Sequence, residues 1–195
     1  MPDTGAPWNI PFLDGTELVR AYPDFSEDLA DAVADGLSAA GNAGIGSNVV
    51  QTVKTDVFTT TSGTFTPITG LAATITPSSA TSKVLVLVSV MSSTLNNNIS
   101  VVFRVMRGST PVGIGDAAGS RVRGTFRGSP GFGGTHGVVL LDTPNTTDPV
   151  EYTVETGGYE SGQETSINKN VTDTDNANLQ NGRTASFITL VEVAA

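Results

Sequence analysis

Residues 83–91, which read Lys-Val-Leu-Val-Leu-Val-Ser-Val-Met, constrain the fold more than any other stretch of the chain. Six of the seven residues from Val84 to Val90 are branched aliphatics, so both faces of an extended segment would be apolar. The run is too short to span a membrane. It predicts a fully buried strand in the middle of a sandwich or barrel, although periodicity alone leaves a buried helix open. Residues 137–142 predict a second buried strand.

Shorter segments with strand-like alternation surround these two runs, as in antiparallel β-sandwiches. Alternation places Phe103 inside and Arg104 on the opposite face, and it places Val49, Val53 and Val57 on one common face. The sequence therefore predicts a mainly β, antiparallel, jelly-roll-like sandwich. Its strands are expected over residues 49–58, 71–75, 83–91, 101–107, 120–126, 137–142, 151–155, 165–171 and 187–193.

The charge is distributed unevenly along the chain. Residues 1–46 contain eight acidic residues and one basic residue, a net of −7, whereas the remainder contains eleven acidic and nine basic residues, a net of −2. The small-residue stretch 39–48 (Ala-Ala-Gly-Asn-Ala-Gly-Ile-Gly-Ser-Asn) is the best linker. We therefore expect two parts: an N-terminal arm with a short helix over residues 1–46 and a β head over 47–195.

The arm contains an apolar cluster with little neighbouring sequence to form a core. It can fold back onto its own domain or dock into another protein, and the second alternative makes it an anchor. The candidate anchoring residues are Trp8, Ile10, Phe12 and Leu13.

A short helix is predicted after the arm. The segment Asp24-Phe25-Ser26-Glu27 has the form of a capping box, and an apolar helical stripe follows it. An acidic helix of about four turns is only marginally stable in isolation. Its apolar stripe therefore needs a partner, either in a bundle of identical chains or on another protein. The candidate contact residues in a trimer are Leu29, Val33 and Leu37.

Composition and charge exclude several classes of protein. Residues 1–5 lack the basic and apolar regions of a signal peptide, so we expect synthesis in the cytoplasm. No run of 18 apolar residues is present, which argues against membrane insertion. A net charge of −9 argues against nucleic-acid binding. Without cysteine, the chain can form neither disulfides nor thiolate metal sites.

Several segments resemble the C-terminal head of tailed-bacteriophage fibre and minor tail proteins. They are Phe58 with Phe65, Ile-Thr-Pro at 75–77, Ser-Lys-Val-Leu-Val at 82–86, Phe-Arg-Val-Met-Arg-Gly-Ser-Thr at 103–110, Gly-Asp-Ala-Ala-Gly-Ser-Arg at 115–121, Asp-Thr-Asp-Asn at 173–176 and Gly-Arg-Thr-Ala-Ser-Phe-Ile-Thr-Leu-Val-Glu-Val at 182–193. Residues 15–30 are similar to the virion-attachment segments that precede such heads.

The resemblance implies a homotrimeric virion protein with a jelly-roll-like head, attached to other virion proteins through residues 1–46. No long repetitive shaft is present, so a short fibre fits better than a long one. Recognition of a host-surface glycan would fall in loops, which we expect at 108–119, 128–136 and 157–163. The candidate receptor-binding residues are Arg127, Phe132 and His136.

Catalytic and metal-binding sites are weakly indicated. His136 is the only histidine, borders a Gly-rich stretch and lacks a Gly-x-Ser-x-Gly partner, so we expect a loop histidine and no enzyme. Residues 173–176 suggest calcium, but Ala177 and Asn178 break the EF-hand pattern. Residues 113–119 fail the spacing of a dinucleotide-binding loop. We predict neither a cofactor nor a metal.

The arginines at 104, 107, 121, 123 and 127 form the main basic concentration. They can bind the carboxylates of a glycan, or they can pair with acids of a neighbouring subunit, which is the interpretation we favour. Two other functions stay open: a capsid decoration or head-fibre protein, and a carbohydrate-binding module.

Overall fold

The computed structural model describes residues 31–35, 45–94, 100–128, 133–157 and 162–194. The chain divides into two compact units, Met1–Asn42 and Ala43–Ala195. In the first unit, residues 31–35 are helical, within the predicted helix. The second unit contains all the strands of the described residues, and the first of them begins at Ile45, inside the predicted linker. Within the described ranges, no helix is long and apolar enough to cross a membrane.

The described residues of the second unit form eleven β-strands and one 3-10 turn at Leu179–Asn181. The strands are β1 (Ile45–Lys54), β2 (Phe58–Thr60), β3 (Thr66–Ile75), β4 (Lys83–Thr94), β5 (Val101–Arg107), β6 (Thr110–Val112), β7 (Phe126–Gly128), β8 (Gly134–Asp142), β9 (Val150–Gly157), β10 (Thr165–Ile167) and β11 (Ser186–Val193).

The first sheet, sheet A, has four rows of strands around β4. Strand β8 pairs with β4 on one side, whereas β11 and β10 lie end to end on the other side. Strands β1 and β2, also end to end, pair with β11 and β10 respectively. Two of the four rows therefore consist of interrupted strands.

The second sheet, sheet B, repeats this plan around β5 and β9. Strand β3 pairs with β9 and β9 pairs with β5, while β6 and β7 lie end to end along the other side of β5. Numbering the rows in chain order gives 1-8-3-6 in sheet A and 2-7-4-5 in sheet B. All described pairings are antiparallel, and this eight-row double sheet is a jelly roll. The predicted mainly β sandwich is confirmed.

The core lies between the two sheets. Val84, Val86, Val88 and Val90 of β4 are buried on the inner face of sheet A, and Phe103 of β5 is buried on the inner face of sheet B. They pack in one apolar cluster that also includes the following residues: Tyr152, Val154, Ile188 and Leu190. The predicted inward position of Phe103 and outward position of Arg104 are confirmed.

Two features of burial differ from the sequence predictions. The outer positions Leu85 and Leu87 of the central strand are only half-buried, so the prediction that both of its faces are buried was wrong. Strand β8 was expected to be a buried strand, but Val139 and Leu141 are exposed because they project from the outer face of sheet A, opposite Leu87 and Leu85. In β4 and β8, apolar residues on both faces of the strand therefore did not mean that both faces are buried.

The strand boundaries also differ in places. Residues 120–125 form a loop, and the strand predicted there is the short β7, which begins at Phe126. The three-residue strand β6 was not predicted. Residues 168–171 lie outside β10, because Asn168 adopts a positive φ of 64° and turns the chain out of the sheet.

Candidate binding cleft

A cleft of about 650 Å³ opens on the outer face of sheet B. One side is formed by the connection between β2 and β3, and the floor by outward side chains of β5. The other side is formed by the chain that enters β7. The lining residues are Gly63, Thr64, Phe65, Ser100, Val102, Arg104, Val122, Gly124, Phe126, Arg127 and Gly157. The volume falls within the range of small-molecule sites, about 300–1,000 Å³.

Arg104 is held in the cleft by two contacts. Its guanidinium lies 3.7 Å from the centre of the Phe65 ring, an arrangement in which the cation is attracted to the aromatic face. Its Nε donates a hydrogen bond to the Arg123 carbonyl oxygen at 2.9 Å. The arginine therefore joins the two sides of the cleft, and its position is fixed before any ligand arrives.

The side formed by residues 113–125 is also well anchored. Arg123 Nε donates to the Gly115 carbonyl oxygen at 2.6 Å. The Thr125 hydroxyl donates to the Val112 carbonyl oxygen and accepts from the Val105 N–H. These bonds tie this otherwise extended loop to β5 and β6, so the cleft has a rigid side.

Gly124 stands where this loop comes closest to β5. A Cβ at this position would overlap Val102 Cγ1 and lie 2.9 Å from the Phe103 carbonyl oxygen. The Thr125 N–H donates to that same carbonyl oxygen at 2.7 Å. Only glycine permits this close approach, and the approach places the residues before Gly124 along one side of the cleft.

The cleft is suited to an anion. Arg104 and Arg127 supply two cations, and none of the described lining residues is acidic, although the chain as a whole carries −9. Arg127 is exposed and projects from β7 beside Val102. Guanidinium groups bind carboxylates through two parallel hydrogen bonds, while Thr64 and Ser100 add hydroxyls. This combination can bind a polar, carboxylate-bearing ligand without reacting with it.

Of the predicted receptor-binding residues, the structure places Arg127 in this cleft. The placement of His136 in a loop was wrong, since it lies within β8, opposite Val90. It faces inward beside Gly128, and burial lowers its pKa. Phe132 lies outside the described residues.

The other predicted site residues lie in the first unit. Val33 belongs to the helical residues 31–35, and its side chain is 50% exposed. The remaining positions lie outside the described residues, and their proposed roles stay predictions: Trp8, Ile10, Phe12, Leu13, Leu29 and Leu37.

Arg107 does not belong to the cleft. Its guanidinium pairs at 2.8 Å with the carboxylate of Asp142, which also accepts a hydrogen bond from the Tyr152 hydroxyl at 2.7 Å. Burial, with this hydrogen bond, raises the pKa of Tyr152 above its usual value. The cluster joins the two sheets within one chain, so the favoured pairing with a neighbouring subunit was wrong for Arg107. No local sequence signal connects these three residues.

Asp173, the first residue of the candidate calcium segment, takes part in ion pairs. Its carboxylate lies 2.6 Å from the Arg183 guanidinium and 3.8 Å from the Lys169 amine. Within the described part of the chain, no group of three or more acidic or histidine side chains is arranged to hold a metal.

No protein-family model matches the chain, and a search of curated proteins finds no relative.

Proposed function

We propose that this chain is a non-enzymatic structural component of a bacteriophage virion, a trimeric short tail fibre or minor tail protein. Residues 1–46 would attach it to other virion proteins, and residues 47–195 would form a head displayed towards the host surface. Its synthesis would take place in the host cytoplasm and its final location would be the virion. The proposal rests on the resemblance of the quoted segments to fibre heads.

The cleft on sheet B is the observation that carries the receptor-binding part of the proposal. It is preformed, because Arg104 and the 113–125 loop are fixed by contacts within the chain. It is cationic in an acidic protein, which favours a carboxylate over a neutral sugar. We propose that it binds an acidic host-surface glycan, with Arg127 contacting the carboxylate.

Each cleft would bind weakly, because it is open and offers few charged groups. A trimer presents three clefts, and after the first contact the others act at a raised effective concentration. Attachment to a cell surface therefore does not require a tight single site.

The proposal is tested with the purified full chain and two probes, polygalacturonate as an acidic polysaccharide and dextran as a neutral one. Light scattering should give three chain masses, and only polygalacturonate should bind. Arg127→Ala should weaken that binding by about tenfold, the effect of removing a hydrogen bond to a charged group. Arg121→Ala is the matched control, because Arg121 is exposed, donates to the Ala118 carbonyl oxygen in its own turn and is not among the residues that line the cleft.

Two results would contradict this function. Equal binding of the two polysaccharides, or equal loss with Arg121→Ala and Arg127→Ala, would show that the cleft does not recognise acidic glycans. A stable monomer would contradict the trimer.

A capsid decoration or head-fibre protein is the alternative within the virion. It is indicated if the purified protein adsorbs to no host cell while particles lacking it fall apart. A carbohydrate-binding module is the alternative of another class. The same cleft favours it, and polysaccharide binding by a monomer with no association with particles would identify it.

A further inference from the structure

The outer face of sheet A carries an apolar surface that crosses the whole sheet. The register aligns Val49 with Val191, Val191 with Leu85, and Leu85 with Leu141, so one line of side chains spans all four rows. The adjacent line contains Leu87 and Val139 with the polar pair Gln51 and Thr189. The third line contains Val53, Phe187, Ser89 and Gly137. We call the surface formed by these three lines the A face.

The A face is exposed in the single chain. Val139 is 65% exposed, Val49 55%, Val53 52%, Leu141 51% and Phe187 37%. An antiparallel sheet with one solvated face normally alternates between apolar inward and polar outward residues. Here the outward residues are largely apolar as well, which indicates that another surface covers them.

Charge separates the A face from the outer face of sheet B. None of the described side chains in the three lines of the A face is charged, and the first charge along β4 is Lys83 at its rim. The outer face of sheet B, by contrast, carries Glu151, Glu155, Arg104 and Arg127. Depletion of charge is typical of the core of a protein–protein interface.

The area of the A face fits an interface core. Four rows about 4.8 Å apart, with three outward positions along each at about 3.3 Å per residue, cover about 400 Å². A specific complex buries about 800 Å² on each partner. The A face therefore supplies about half of such a contact, and its polar rim can supply the remainder.

We infer that the A face is the surface through which copies of this chain associate. The chain carries a net charge of −9, so two copies repel each other least where their surfaces are free of acidic residues. Phe187 lies in the same line as Ser89 and Gly137, so this line presents one aromatic ring beside two small residues.

The inference rests on the self-association in the proposed function but not on the virion role. The inference and the virion role can therefore fail separately. The chain contains no cysteine, so one introduced cysteine is the only thiol. Val139→Cys places it on the A face, and Thr74→Cys places it at an exposed position of β3 on sheet B as the matched control.

In the intact full chain, maleimide should label Val139→Cys at least about tenfold more slowly than Thr74→Cys, because labelling must wait for dissociation. Both should react equally fast in denaturant. Val139→Glu should lower the mass measured by light scattering towards one chain, since a charge would be buried without a partner. Thr74→Glu should leave the mass unchanged.

Equal labelling of the two cysteines in the folded protein would overturn the inference, and so would an unchanged oligomer with Val139→Glu. Slow labelling of Val139→Cys in a protein of one chain mass would also overturn it, because a segment of the same chain would then cover the A face.

Discussion

Asn168 shows how one residue, through its side chain and its backbone N–H, can join three rows of a sheet. It is fully buried, and its Nδ2 donates to the carbonyl oxygens of Lys54 at 2.8 Å and Asp56 at 3.0 Å, at the break between β1 and β2. Its Oδ1 accepts from the Ser186 hydroxyl, and its N–H donates to the Met91 carbonyl oxygen. Asparagine tolerates the positive φ of 64° that this position requires.

Asn168→Ala should lower the free energy of unfolding by about 3 kcal/mol, because two carbonyl groups and a hydroxyl would lose buried partners. Part of any loss reflects the strain of alanine at positive φ, about 1 kcal/mol. Asn145→Ala is the control, since Asn145 also has a positive φ of 55° but is exposed. Urea denaturation measures both variants, and equal losses would show that backbone strain accounts for the effect.

At the scale of elements, buried polar contacts attach strand ends to loops. Glu192, near the end of β11, is buried, and its Oε1 accepts from the Ser78 N–H at 2.7 Å and the Ser78 hydroxyl at 2.6 Å. Asn48 donates to the other oxygen at 3.4 Å. The carboxylate thereby links β11, β1 and the connection between β3 and β4.

This site should make stability depend on pH. Burial alone would raise the pKa of Glu192, but the donors from Ser78 and Asn48 outweigh it and hold the pKa below the ordinary 4.5. Because the folded-state pKa is lowered, the contribution to stability is present above pH 4.5 and is lost as the pH falls through the folded-state value.

Glu192→Gln should therefore be about 1.5–3 kcal/mol less stable than the parent protein at neutral pH, the value of hydrogen bonds to a charged group. The difference should shrink in acid, where the parent also loses its charge. Glu151→Gln, at an exposed position of β9, should show no comparable change. A difference that stays constant from pH 7 down to pH values below 4.5 would contradict the assigned role of the charge. Denaturation at several pH values measures it.

At the scale of the whole molecule, the two outer faces of the sandwich differ in chemistry. The A face is largely apolar and uncharged, whereas the outer face of sheet B is polar and contains the cationic cleft. If copies associate through the A face, the clefts on sheet B stay open to a ligand. The two proposals are therefore compatible in one assembly.

The anchoring role of the arm predicts a separation between assembly and stability. Replacing Trp8 and Phe12 together by alanine should prevent incorporation into particles, because the apolar contact with another virion protein would be lost. The thermal unfolding temperature of the purified protein should not change. Incorporation is measured by blotting purified particles, with Thr74→Ala on the head as the control. A lowered unfolding temperature would show instead that the arm packs on its own domain.

Part of the cleft could be read from the sequence, and part could not. Alternation placed Arg104 outward, and Arg127 was a candidate receptor-binding residue. The partnership of Arg104 with Phe65 was not predictable, because only folding brings the connection before β3 against β5. The same holds for Arg107 and Asp142, which pair across the two sheets.

The sequence by itself determined the β class of this protein and the inner face of strands such as β5, because alternating side chains project to opposite sides of a strand whatever its neighbours are. The tertiary structure decided which rows are central and which lie at an edge. Val84 and Val139 both belong to apolar runs, yet the first is buried between the sheets and the second is exposed on the A face. Burial depends on what packs against a face, and that depends on contacts between residues far apart in the chain.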